Sequence, residues 1–267
     1  MKSYLAVFRM KFIAGLQYRA AAWAGVATQF FFGFVFIMIY LAFYRSSASA
    51  PPMPLAQLIS YMWLQQAFLA IIMLWAQDGD LLDQISNGQI VYELCRPYSL
   101  FSFWYARLLA TRLSSALLRC VPILAVTFFL PAPYRMNPPA SILAGLWFFA
   151  SLILGLVLVV AISMFIYILT FITLSPVGSR FAVTVASEFL MGAVVPVPLM
   201  PVWLQHVVSF FPFRYTSDLP FRVYSGNIAG SDGIIQTLIQ LAWIAGLIAA
   251  GQLAFRRVMR RIVIQGG

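Results

Sequence analysis

Long apolar runs, separated by short segments rich in charge or proline, form the main hydropathy pattern of this chain. Each run has about 20 residues, the length of a helix that crosses a ~30 Å hydrocarbon layer. Transmembrane β-strands would instead alternate in segments of about ten residues. We therefore expect an all-α membrane protein, with residues 1–267 forming a single transmembrane domain. The six predicted spans cover residues 22–44, 57–76, 108–130, 141–172, 181–200 and 234–255.

The fourth run is too long for one upright helix and too short for two. We expect its helix to tilt or to project into the cytoplasm. Residues 2–20 are too charged to span, but they place apolar residues at helical spacing among basic ones. This pattern is typical of a helix in the membrane interface, here represented by Phe8, Arg9 and Phe12. The alternative is a basic flank that only sets the topology.

The composition and the charge of the chain also indicate a membrane protein. The chain is 63% hydrophobic and 9% charged, with a net charge of +10. With both termini placed in the cytoplasm, the basic residues concentrate on the inner side, as in most membrane proteins. The charge therefore sets orientation, and we do not expect nucleic-acid binding. The exceptions on the outer side are Arg45, Arg135, Arg214 and Arg222.

The polar segment 77–97 is the most distinctive part of the chain. It holds four of the seven acids: Asp78, Asp80, Asp83 and Glu93. Short acidic side chains at its start can cap a helix, and Asn87 and Gly88 can end one. Between them, Leu81, Leu82 and Ile85 form an apolar face. The pattern predicts a short, acid-tipped amphipathic helix at the cytoplasmic surface. We expect this segment to contact a partner protein. The alternative is a solvated loop with no partner.

Catalytic patterns are missing from the sequence. The lysines, Lys2 and Lys11, follow no glycine-rich turn that would form a P-loop. The single histidine, His206, is interpreted as a polar position on an interfacial helix, and no G-x-S-x-G motif supports an intramembrane protease. Cys95 and Cys120 fall in different environments, so we expect no disulfide between them. We expect neither an enzyme, nor a metal site, nor a cofactor held by this chain.

Glu188 is the acid that falls well inside a predicted span. An intramembrane charge costs roughly 2.5–3.5 kcal/mol on insertion scales unless it is satisfied. Glu188 is therefore either a substrate or gating contact, or a structural residue that pairs with an arginine or with a polar neighbour. Arg112 and Arg119 are the candidate partners for that pair.

Prolines mark the end of the fifth span, at Pro196, Pro198 and Pro201. They remove backbone donors, and unwound backbone at membrane depth must line water or be buried in protein. The prolines form part of either a re-entrant gate or an ordinary helix end. The segment that follows, 201–233, is crowded with aromatic residues, which favour the membrane–water boundary.

The segment Asp83-Gln-Ile-Ser-Asn-Gly-Gln-Ile-Val-Tyr-Glu-Leu-Cys-Arg-Pro97 resembles a loop found in one family of transporters. A basic N-terminal helix and two spans precede that loop, and four spans follow it. The proline-rich stretch Gly192–Pro201, followed by Pro212 and Phe213, also fits. Nearly the whole chain is similar to the type-2 ABC exporter permeases, in the branch of six-span subunits without a fused ATPase.

The resemblance implies a partner and a place for it. Two copies of a separate ABC ATPase, which binds ATP and Mg, dock under a pair of permeases, either two copies of this chain or this chain with a similar one. The interfacial helix supplies a second contact, and re-entrant helices at the outer end of span five close the exit. The resemblance places the coupling contact at Asp78, Asp80, Leu81, Leu82, Asp83, Ile85, Asn87 and Gly88.

The same resemblance implies alternating access in a bacterial cytoplasmic membrane, with export of a lipophilic or amphipathic substrate such as a drug, lipid or peptide. The alternative is a secondary transporter or channel that needs no ATP.

Overall fold

Helices form most of the described chain. The computed structural model describes residues 2–46 and 51–260, and those ranges contain no β-strand. Between α9 and α10 lies a 3-10 turn, Val197–Leu199. The helices are α1 (Lys2–Gln17), α2 (Arg19–Ser46), α3 (Leu55–Ala67), α4 (Leu69–Ile72), α5 (Gly79–Ser86), α6 (Val91–Leu94), α7 (Leu100–Thr127), α8 (Ile142–Thr173), α9 (Pro176–Leu190), α10 (Val202–Ser209), α11 (Arg214–Tyr224) and α12 (Gly230–Met259).

Four helices are long and apolar enough to cross a membrane, namely α2, α7, α8 and α12. They contain 28, 28, 32 and 30 residues. At 1.5 Å per residue these lengths correspond to roughly 42–48 Å, which exceeds the ~30 Å hydrocarbon layer. The chain is therefore an α-helical membrane protein that is embedded through several helices.

Helix α8 occupies the centre of the bundle. Its most apolar window is 72% buried, against at most 33% for the other three long helices. It packs against α7, α9, α11 and α12. A helix that is hydrophobic all round is suited to such a position. The expected tilt or projection of this helix into the cytoplasm stays a prediction. The helix begins after Ser141, whose hydroxyl accepts a hydrogen bond from the Ala144 amide at 3.0 Å.

The second predicted span, 57–76, is wrong at its end. The helix is interrupted at Phe68 and is helical again only as far as Ile72. The carbonyl groups beyond this break are satisfied by a side chain from another helix. The Arg112 guanidinium donates to the carbonyl oxygen of Met73 at 2.6 Å and to that of Ala76 at 3.1 Å.

The third and fifth predicted spans also differ from the structure. Helix α7 begins at Leu100 rather than near residue 108, because its first turns are stabilised by packing against α1. Helix α9 ends at Leu190 rather than near residue 200. The chain turns at Gly192, where φ is +80°, a value that favours glycine.

Helix α1 packs along the first half of α7. The Ser99 amide donates to the Tyr4 hydroxyl at 3.0 Å. Further along, Gly15 lies against Ser114, where a Cβ atom on the glycine would collide with the serine hydroxyl. The contact with α7 therefore orders residues 2–17, whereas the predicted position in a membrane interface stays a prediction.

Candidate functional site

Helix α5 has the ends that its sequence predicts. Asp78 precedes the helix in an extended conformation and accepts a hydrogen bond from the Leu81 amide at 3.4 Å. At the other end, the Asn87 amide donates to the carbonyl oxygen of Asp83 at 2.9 Å. Gly88 follows with φ +71°, a left-handed conformation that glycine adopts readily.

The apolar face of α5 packs into the chain itself. Leu81, Leu82 and Ile85 are 0%, 4% and 3% exposed, and the helix lies against α8 and α9. Burying such a side chain stabilises a fold by about 1.5–3 kcal/mol. The expectation that these residues contact a partner directly is therefore wrong for the apolar face. The three side chains hold α5 in place instead.

An ion pair fixes the start of α5 to α7. The guanidinium of Arg107 contacts both carboxylate oxygens of Asp78, from Nε to Oδ2 at 2.6 Å and from Nη2 to Oδ1 at 2.8 Å. The same Nη2 donates to Asp80 at 3.0 Å. The side chains of Arg107 and Asp78 are 8% and 11% exposed. Asp78 is therefore turned inward, and it positions the helix rather than facing solvent.

Two further hydrogen bonds tie segment 77–97 to the long helices. The Asp78 amide donates to the Tyr167 hydroxyl of α8 at 2.9 Å. The indole nitrogen of Trp104, on α7, donates to a carboxylate oxygen of Glu93 at 2.7 Å. The segment is thus connected to α7 and α8 at its start and to α7 near its end.

The remaining predicted residues of α5 form an exposed surface. The side chain of Asp80 is 74% exposed, and Asp83, Asn87 and Gly88 are exposed as well. We call these four residues the acidic surface of α5. A rigid, solvent-facing helix with two carboxylates can bind a basic groove on another protein.

The predicted gate residues lie in the turn that follows α9. Pro196 and Pro198 are buried, while Pro201 is exposed and directly precedes α10. The turn is connected to the bundle through backbone carbonyl groups. The Gln65 side chain donates to the carbonyl oxygen of Ala193 at 2.6 Å. The prolines therefore belong to an ordered turn fixed against α3.

Of the alternatives for Glu188, the ion pair with Arg112 or Arg119 is not found among the described residues. Glu188 is half-buried, and its carboxylate makes no ion pair or side-chain hydrogen bond within residues 2–46 and 51–260. Arg112 is unsuitable as a partner because its terminal nitrogens donate to backbone carbonyl groups. Arg119 likewise contacts no carboxylate of the described residues.

The fully buried acid of this bundle is Asp218, on α11. It is 0% exposed, accepts a hydrogen bond from the Tyr61 hydroxyl at 3.3 Å, and pairs with Arg222 at 3.4 Å. The hydrogen bond from Tyr61 connects α11 to α3, while the pair with Arg222 lies within α11 itself. Segment 201–233, expected to lie at the membrane–water boundary, therefore contributes a buried helix to the core.

The other candidate residues are the single histidine and the two cysteines. His206 is exposed on α10. Cys95 is exposed, Cys120 is buried, and both are free thiols. In the part of the chain that the structure describes, no group of three His, Cys, Asp or Glu side chains is placed to hold a metal ion.

Sequence reasoning missed the residues that hold α5. The charge pattern assigns Arg107 only a part in setting orientation, Tyr167 falls inside the fourth predicted span, and Trp104 lies outside all six spans. One signal was available, because arginines in an otherwise apolar helix require a partner. Asp78 and Asp80 are acids of the neighbouring segment, so they were the candidates for that partner.

Comparison of the chain with protein-family models, with curated proteins and with solved structures finds no match. The class of the protein therefore rests on its own architecture, an all-helical, multi-pass membrane bundle with an ordered, acid-tipped helix at one end.

Proposed function

We propose that this chain is the membrane-spanning permease subunit of an ABC exporter, driven by a separate ATPase. One observation carries the proposal: α5 buries its apolar face, is held by Arg107, and turns its acidic surface outward. When a bound partner displaces such a helix, the displacement can be carried to α7 and α8 through their contacts with it. Binding and hydrolysis of ATP by the partner would then shift the population between inward-open and outward-open states.

The two ends of the described chain lie close to each other, at the start of α7. Tyr4 of α1 contacts Ser99 at the start of α7, and Phe255 near the end of α12 packs on Trp104 with ring centroids 5.5 Å apart. Both ends of the described chain therefore lie at the end of the bundle where α5 is found. A chain that crosses the membrane an even number of times, such as the six times predicted here, has both of its ends on the same side of the membrane. In the proposal, that end faces the cytoplasm of a bacterium.

Six spans require that two shorter segments join the four long helices. Helices α3 and α4 together and helix α9 are the candidates, and α3 and α9 contain 13 and 15 residues. In the proposal, the 3-10 turn with α10 and α11 forms the re-entrant closure on the outer side. The partners are two ATPase subunits and a second permease, and the cargo is a lipophilic or amphipathic molecule.

Co-purification tests the proposal. The chain is expressed with a candidate ABC ATPase, sought first among the adjacent reading frames, and the ATPase recovered with the tagged permease is measured. Asp83→Lys reverses one exposed charge and Asn87→Lys adds a second positive charge. Neither residue makes an ion pair among the described residues, so we expect the fold to be retained. We expect at least a tenfold loss of bound ATPase. Asp232→Lys, an exposed charge reversal in the first turn of α12, is the matched control and should bind normally.

Equal recovery of the ATPase with the double variant and the wild type would contradict the proposal. The carboxylate of Glu188, which is half-buried and makes no ion pair with the described residues, favours a second candidate, a transporter coupled to ions. This candidate predicts transport by the purified chain alone in proteoliposomes, without ATP, and loss of that transport in Glu188→Gln. The exporter proposal predicts no ATP-independent transport.

A further inference from the structure

A cavity of about 190 Å³ lies between α7 and the non-helical segment that leads into α5. Its apolar wall includes Leu69 and Met73, and Trp75, which is 52% exposed, stands at its edge. Its polar wall consists of Gln77, Asp78, Thr111, Arg112, Ser115 and Arg119. The cavity therefore combines an apolar side with a polar side that carries two arginines.

Neither arginine of the cavity has an acidic partner. Among the described residues, the ion pairs are those of Arg107 with Asp78 and Asp80, and of Arg222 with Asp218. Although Asp78 lines the cavity, both of its carboxylate oxygens are engaged by Arg107. The cavity therefore holds two positive charges that no carboxylate of the described chain neutralises.

Arg112 is 4% exposed, so its charge is nearly desolvated. Its terminal nitrogens donate to backbone carbonyl groups of residues 70–76 and to the Ser163 hydroxyl. These neutral acceptors satisfy the donors without cancelling the charge. A buried charge is costly unless it is paired, so a negative charge in the cavity would relieve a cost that the chain now carries.

Three of the residues that line the cavity also carry buried side-chain atoms without hydrogen-bond partners among the described residues. The Nε atoms of Arg112 and Arg119 and the Oε1 atom of Gln77 are buried and find no partner among the described residues. Such orphaned groups are rare in folded proteins and require an explanation. The Arg119 guanidinium lies against Gly25 of α2, where a glycine Cβ would be 2.8 Å from Cζ. The absence of a side chain at Gly25 leaves the space that the guanidinium occupies.

The size of the cavity limits the ligand that it can hold. Sites for drug-sized molecules have volumes of about 300–1,000 Å³, so a cavity of about 190 Å³ holds one small group. Arginine is well suited to phosphate because its planar donors match two oxygens at once. The exposed Trp75 provides the amphipathic surface that is typical of the membrane–water boundary.

We propose that this cavity binds a phosphate-class anionic group, with Arg119 donating to its oxygens and Arg112 supplying buried positive charge. The group is carried by a lipid headgroup whose chains extend past Trp75, or is free inorganic phosphate. The inference depends on the cavity alone, so it stands even if no ATPase binds this chain.

Binding to the purified full chain in neutral detergent tests the site. The probes are dioctanoyl phosphatidylglycerol, dioctanoyl phosphatidylcholine and inorganic phosphate, with bound molecules counted by native mass spectrometry. Charge-assisted hydrogen bonds contribute about 1.5–3 kcal/mol. We therefore expect at least tenfold weaker binding of the anionic lipid to Arg119→Gln. Arg119→Lys, which keeps the charge but loses the planar donors, should have intermediate affinity.

Arg257→Gln is the matched control, because it removes one exposed positive charge from the last turns of α12. It should bind the anionic lipid as the wild type does. Competition by inorganic phosphate would identify the free anion as the ligand, and its failure to compete would identify the headgroup. Both outcomes require dependence on Arg119. Equal binding by wild type, Arg119→Gln and Arg257→Gln, or an equal loss in both variants, would overturn the proposal.

Discussion

Replacing Asp78 with asparagine tests whether the ion pair with Arg107 holds α5 in place. Asparagine caps a helix about as well as aspartate does, so Asp78→Asn removes the charge and keeps the cap. Arg107 remains 8% exposed in its side chain and loses its bidentate partner. Its only remaining carboxylate contact among the described residues is the 3.0 Å bond to the exposed Asp80.

The size of the effect follows from the burial of the pair. Removing one partner of a buried pair costs about 3–5 kcal/mol. Because Asp80 retains one contact with Arg107, we expect about 2–3 kcal/mol for the opening of α5. Since 1.36 kcal/mol corresponds to a factor of ten, amides of residues 79–86 should exchange with deuterium roughly 30- to 150-fold faster.

Hydrogen–deuterium exchange with peptide-level mass spectrometry measures this change directly in the detergent-solubilised chain. Asp83→Asn is the control, because Asp83 is exposed and makes no ion pair, so exchange in α5 should be nearly unchanged. A double-mutant cycle with Arg107→Gln should give a coupling energy of about 2 kcal/mol. Additive effects of the two substitutions, or unchanged exchange in Asp78→Asn, would refute this account of how α5 is held.

Two further predictions concern the packing of α11. In Gly155→Val, a Cβ atom would lie 2.5 Å from the backbone oxygen of Thr216. Such overpacking costs about 1–3 kcal/mol and should lower the thermal unfolding midpoint in detergent, whereas Gly246→Val, with open space around it, should not. Tyr61→Phe deprives the buried Asp218 of a hydrogen bond, which costs about 1–3 kcal/mol; an unchanged midpoint in denaturant-induced unfolding would contradict that role.

Local signals in the sequence predicted the parts of the fold that local forces determine. The long apolar run between residues 141 and 172 became α8 with boundaries shifted by one residue at each end. Helix α5 formed between an N-terminal aspartate and an Asn-Gly stop, as its capping chemistry predicts. In both cases the residues that start the helix and end it are neighbours in the sequence.

Contacts between distant residues could not be predicted in the same way. Arg107 and Asp78 are separated by 29 positions, and Tyr61 and Asp218 by 157. Nothing in the local pattern specifies that these residues meet. Helix α11 was missed for the same reason, since it contains Pro220 and several polar residues whose partners are distant in the sequence. Asp218 accepts from Tyr61 of α3, Arg214 donates to Gln236 of α12, and Ser217 donates to the carbonyl oxygen of Met191.

The most direct test of the central claim is a photo-crosslink from the acidic surface of α5. Benzoylphenylalanine is incorporated at Asn87, which is exposed, and the crosslinked products from irradiated membranes are identified by mass spectrometry. We predict a crosslink to an ABC ATPase, and none when the same probe is placed at the exposed Ser231 on α12. An ATPase crosslink from Ser231 but not from Asn87, or only lipid adducts at Asn87, would contradict the claim that α5 is the coupling surface.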